Sequence, residues 1–134
     1  MEKLIQYCTK ESLFDGAFNG KVGWHAAGMG YILVTENGRL IVIDGGNYND
    51  TEDFLALLEE TAGGKPEVDL WIITHAHGDH VTVMAKLCNR YHDEIALERV
   101  MYNIPSYQVR SAGYDENTTT VKSMIRKYYP EAKF

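Results

Sequence analysis

The chain has 134 residues, enough for one domain with a real core, and its 45% hydrophobic and 24% charged residues are ordinary globular values. A formal net charge of −6 argues against nucleic-acid binding through a basic surface. Two isolated cysteines, Cys8 and Cys88, do not make a disulfide framework, and no stretch resembles a signal peptide or a membrane span, so the expected setting is the cytoplasm, away from membranes.

Lys3 to Cys8 alternates apolar and polar residues and predicts an edge strand. Asp15 to Gly20 is rich in turn formers and predicts a loop or hairpin tip. Tyr31 to Thr35 and Leu40 to Ile43 read as two strands, joined through a two-residue turn at Asn37-Gly38. His25 precedes this hairpin and is read as structural or solvent-facing. Asp44-Gly45-Gly46 ends the second strand, and by residue type alone it reads as a turn.

Asn49 or Asp50 is expected to cap a helix over Thr51 to Thr61, with Glu52 and Asp53 favourable in its first turn. Phe54, Leu55, Leu57 and Leu58 would form its buried stripe, and Gly63-Gly64 would stop it. Val68 to Thr74 is nearly continuous in apolar character, as a strand covered on both faces requires. Val81, Val83, Met84, Leu87 and Cys88 recur at helical spacing up to about Tyr91, and His92 reads as an exposed residue at the helix end. Val100 to Ile104 predicts a further strand closed by Pro105, after which Ser106 and Tyr107 are read as loop residues or substrate contacts. Asp115-Glu116-Asn117 would cap a last helix with Val121, Met124, Ile125 and Tyr128 facing inward. Ala132-Lys133-Phe134 looks like the opening of another strand.

The stretch that carries chemistry is Thr74-His75-Ala76-His77-Gly78-Asp79-His80. With five His and eight Asp in the chain, an H-x-H-x-D-H arises by chance in roughly one such sequence in a few thousand. His75 and His77, two apart at a strand end, project to the same side, and two imidazoles supply half of a tetrahedral metal shell. Gly78 permits a tight or left-handed turn. Asp79 and His80 then open a helix, whose N-terminal dipole favours carboxylate and disfavours imidazolium, keeping both groups able to ligate. Four donors exceed the need of one catalytic ion. The spacing therefore suggests two neighbouring ions bridged by a water, able to create hydroxide at neutral pH.

His75-x-His77-x-Asp79-His80 after an apolar strand, with Val42-Ile43-Asp44-Gly45-Gly46 upstream, resembles the metallo-β-lactamase superfamily, and within it the competence-protein-like hydrolase branch. The resemblance implies that His75 and His77 bind a first divalent ion, Asp79 and His80 a second, and that Asp44 supports the metal loop without touching an ion. It implies further ligands from a second, pseudo-symmetric half that the positions of His25 and His92 do not match. The expected fold is therefore α/β: the N-terminal half of an αββα sandwich, a mixed sheet with helices on its outer face, spanning residues 1–134 and truncated at its C-terminus.

Two function classes follow. One is a metal-dependent hydrolase in which activated water attacks an ester, thioester, amide or phosphoester, with Asp79 orienting the water and zinc the default metal. A metal pair attracts anions locally, so the acidic balance does not exclude phosphoesters. That centre would be complete only with a missing half or a partner chain, leaving the isolated chain inactive. The other is a non-catalytic partner-binding or assembly half-domain with weak or no metal binding. An uncovered inner sheet face seldom stays solvated, so a homodimer or an absent C-terminal half is expected.

Overall fold

The computed structural model describes residues 2–8, 28–75, 77–102 and 117–134. Six strands form one mixed sheet: β1 (Lys3–Cys8), β2 (Met29–Val34), β3 (Leu40–Asp44), β4 (Glu67–Ile73), β5 (Ala96–Leu97) and β6 (Val100–Tyr102). Strands β1, β2 and β3 run antiparallel in that order, and β4 then lies parallel to β3. Both β5 and β6 pair in parallel with β4, the first beside Glu67 and Val68 and the second beside Trp71 to Ile73. They form one edge interrupted at Glu98-Arg99. The short β5 is absent from the sequence reading because two residues carry no periodic signal.

The β2–β3 connection differs from expectation. Thr35 N–H donates to Arg39 O and Gly38 N–H donates to Thr35 O, both at 2.9 Å, so the loop holds three residues rather than two. Gly38 alone takes a positive φ (+78°), whereas a two-residue type I′ turn would require it at Asn37 as well.

Helix α1 (Thr51–Ala62) follows a 3-10 turn at Tyr48–Asp50. Asp50 occupies its N-cap position but makes no side-chain capping bond, contrary to the sequence reading. Its fully buried carboxylate instead accepts from Asn47 N–H (2.8 Å) and from the Tyr7 hydroxyl (3.2 Å), tying β1 to the turn. Burial and this carboxylate push the Tyr7 phenol well above its usual range. Gly63 ends α1 in the left-handed conformation (φ +71°), as the Gly-Gly pair predicts.

Helices α2 (Gly78–Arg90) and α3 (Asn117–Tyr128) complete the layer. Val81, Val83, Met84, Leu87 and Cys88 are buried on α2, as are Val121 and Ile125 on α3, with Met124 and Tyr128 packed against them. The Asp115-Glu116 cap lies outside the described residues, as do the Asp15–Gly20 loop, His25, Ser106 and Tyr107. Lys133 bridges in parallel to Arg99, in keeping with an incipient strand at Ala132 to Phe134. His92 is only partly exposed; its ring stacks on Tyr128 at 4.7 Å.

The core lies between one sheet face and the three helices. Ile5, Ile32, Val42, Trp71 and Ile73 point into it, and Phe54 of α1 meets the Trp71 ring at 6.0 Å. The opposite face carries two apolar cross-strand rows, Leu4-Leu33-Ile41-Leu70 and Tyr31-Ile43-Ile72-Met101. No described helix covers them. Leu4 and Met101 at the two ends are 56% and 57% exposed, and the six residues between them are half-buried. The expectation that β4 is covered on both faces therefore holds for one face among the described residues.

Candidate metal centre

Parallel strands β3 and β4 end side by side, and the chain turns there twice: through Asp44-Gly45-Gly46 after β3 and through Thr74 to His77 after β4. Carboxyl ends of neighbouring parallel strands are where such sheets gather their ligands. His77 is the N-cap of α2 with extended backbone (φ −83°, ψ 149°), and Gly78 is its first helical residue. Gly78 is not left-handed; the positive φ angles beside the loop belong to Asp44 (+55°) and Gly46 (+113°). The tight turning expected at Gly78 thus occurs on the neighbouring connection.

The structure brings the motif together. The His75 ring lies 3.8 Å from that of His80 and 4.7 Å from that of His77, centroid to centroid. Asp79 stands in the first turn of α2, with one carboxylate oxygen 3.3 Å from His80 Nε2.

Asp44 organises this cluster from below. Its carboxylate accepts Thr74 N–H (2.8 Å) on Oδ1, and the Thr74 hydroxyl (2.7 Å) and His80 Nδ1–H (2.9 Å) on Oδ2. A carboxylate only accepts, so the hydrogen sits on His80 Nδ1 and the lone pair on Nε2, the atom facing Asp79. The Thr74 hydroxyl also contacts His75 Nδ1 at 3.0 Å. Its own hydrogen goes to Asp44, so it accepts from His75 Nδ1, and the His75 lone pair likewise falls on Nε2. One carboxylate therefore sets two tautomers. Burial, reinforced by the neighbouring His80 and His77 rings, pushes the His75 imidazole below its ordinary value and favours the neutral, ligating form. Thr74 escaped the sequence reading of the site, although its position between a strand end and the first histidine was the available signal.

The donors match a divalent ion in chemistry and, at one point, in spacing. Two ligands on a tetrahedral ion at about 2.0–2.1 Å stand roughly 3.3–3.4 Å apart, which is the separation of His80 Nε2 and Asp79 Oδ2. Among the described residues, however, no group of three or more His, Cys, Asp or Glu side chains is arranged to hold an ion. The loop fits a metal as one wall and does not close a shell alone. His92 plays no part, since it lies beyond the far end of α2, about 18 Å of helix away. A cavity of about 400 Å³ lined by Leu70, Met101, Tyr102 and Phe134 among others is likewise built without motif residues.

A mixed α/β layer with imidazoles clustered at the ends of neighbouring parallel strands is a setting in which such sheets gather ligands. The family model of the metallo-beta-lactamase superfamily matches residues 30–116, and the chain belongs to that superfamily. Its members usually bind divalent metals, and its sheet with helices on one face is a partial form of the family fold. No curated protein matches the chain. No helix among the described residues is long and apolar enough to cross a membrane.

Proposed function

We propose that the chain supplies one wall of a dinuclear hydrolytic centre, with His75 and His77 holding one divalent ion and Asp79 and His80 the other. The observation that carries this reading is the shared support of the cluster: Asp44 and Thr74 turn the lone pairs of His75 and His80 outward together. Zinc suits a mixed imidazole and carboxylate set, with iron or manganese next on ligand type. Bound ions of this kind supply Lewis acidity and hydroxide at neutral pH. Asp79 orients the attacking water. The substrate is a small ester, thioester, amide or phosphoester, and the reaction takes place in the cytoplasm, in keeping with two free cysteines.

The remaining ligands come from a second wall seated on the sheet face that no described helix covers, either a C-terminal half or a second copy of the chain. A second reading is favoured by the open donor set: a non-catalytic half-domain that uses the same face for assembly and binds metal weakly or not at all. Equilibrium dialysis against Zn2+, with mass by analytical ultracentrifugation and turnover of generic esters and phosphodiesters, separates them. Tight zinc binding that is lost in His75→Gln and His80→Gln, together with turnover in whichever assembly completes the shell, is expected. Zinc affinity unchanged by those substitutions would overturn the proposal, and a stable monomer binding no apolar dye would overturn the second wall.

A further inference from the structure

We infer that Trp71 is a positioning residue for the candidate metal centre, its indole N–H holding Asp44 in the conformation from which that carboxylate orients His80. Asp44 is the one non-glycine residue with positive φ (+55°) among the described residues, a conformation that crowds its Cβ against backbone. Such strain persists only where the surroundings hold it. Trp71 Nε1–H donates to the Asp44 carbonyl oxygen at 2.9 Å in a buried setting, where neither group has water as a substitute. The indole is itself fixed: Trp71 is fully buried, Phe54 packs against its ring at 6.0 Å, and Tyr7 packs edge-on against Phe54 at 5.2 Å.

A chain of contacts thus runs from α1 through Phe54 and Trp71 to the Asp44 main chain, and from the Asp44 carboxylate to Thr74 and His80. Trp71 touches no motif residue in this chain of bonds and acts through Asp44. A tryptophan serving only as core filler would need an acceptor for its N–H, but any acceptor would do. Here the acceptor belongs to the strained residue that sets the histidine tautomers.

The inference rests on the proposed metal site only for its affinity arm. The primary measurement uses the metal-free chain: 15N shifts of the His80 ring, at a pH where the signals are those of the neutral form. Wild type is expected to show one tautomer, protonated at Nδ1. Trp71→Phe, and an isostere at position 71 with sulfur in place of the ring N–H, are expected to show both tautomers and to bind Co2+ about tenfold more weakly. Should Trp71→Phe fail to fold, the isostere decides, because it keeps the shape of the core. An isostere with the wild-type ring pattern overturns the inference, as does a wild-type ring already divided between tautomers. A wild type that binds no cobalt overturns the proposed function and leaves the tautomer comparison to judge Trp71.

Discussion

Asp44→Asn separates the charge of Asp44 from its shape. Asparagine tolerates the left-handed φ of +55°, so the main chain need not move. The side-chain carbonyl can still accept Thr74 N–H, but the amide NH2 then replaces the oxygen that receives both the Thr74 hydroxyl and His80 Nδ1–H. The hydroxyl can turn and accept. His80 can accept only by moving its hydrogen to Nε2, which removes the lone pair beside Asp79. The two bonds on Oδ2, each worth about 1.5–3 kcal/mol to a charged acceptor, become neutral ones at about 0.5–1.5, while the Thr74 N–H keeps a neutral acceptor on Oδ1. The expected loss is about 1–3 kcal/mol in urea denaturation, with a 10- to 100-fold loss of zinc affinity in a chelator competition. Asp44→Ala removes the acceptor of the Thr74 N–H, the Thr74 hydroxyl and His80 Nδ1–H together and should cost more. Asn variants within about 0.5 kcal/mol of wild type and with unchanged zinc affinity would refute the role given to the carboxylate.

Other expectations test the surroundings. A Cβ on Gly45 would lie 2.9 Å from Val83 Cβ, so Gly45→Ala should push the start of α2 outward and lower stability by about 1–3 kcal/mol in thermal melts, partly recovered by Val83→Ala. Cys8 is exposed whereas Cys88 is buried with its thiol pushed up to about 12, so a chromogenic disulfide reagent at pH 8 should titrate one thiol quickly and the second only on unfolding. Two fast thiols would contradict this packing. Hydrogen bonds from Lys86 and Tyr91 hold the Glu52 carboxyl below its ordinary value, so its stabilisation is present above the unfolded value near 4.5 and is lost as pH falls through the lowered one. Because Glu52 is half exposed, Glu52→Gln should cost only about 0.5 kcal/mol at pH 7 and nothing at strongly acid pH in paired urea titrations.

The helices and the histidine motif were legible because their signals are local. Phe54, Leu55 and Leu58, or Val81, Met84 and Cys88, repeat at the spacing of one helix face, and four donors within six residues need no tertiary information to be noticed. What escaped was set by partners distant in the chain. Asp50 looks like a cap from its neighbours, yet Tyr7 lies 43 residues away and claims its carboxylate together with Asn47. Asp44 did not escape, since the resemblance already makes it a support of the metal loop, but its bond to His80, 36 residues on, and its positive φ carry no local signal. Thr74 and Trp71 carry no motif. Their roles follow from where β3 and β4 end beside each other.

The same reasoning bears on the second wall. Val68 to Ile73 reads as apolar on both sides, yet the described helices explain only Val68, Trp71 and Ile73. Leu70 and Ile72 continue the rows begun by Leu33, Ile41 and Ile43 on the other side, where lysine or threonine would serve a solvated antiparallel sheet equally well. Apolar residues kept in register across strands, on a face that no described helix covers, are the pattern of a surface built to be covered. The donor cluster lies at the carboxyl ends of these strands, and among the described residues no group of three or more such side chains is arranged to hold an ion. One proposed partner surface thus accounts for two separate features, the uncovered rows and the open shell, and a substitution such as Ile72→Lys should weaken assembly and metal affinity together while leaving the helix-side core intact.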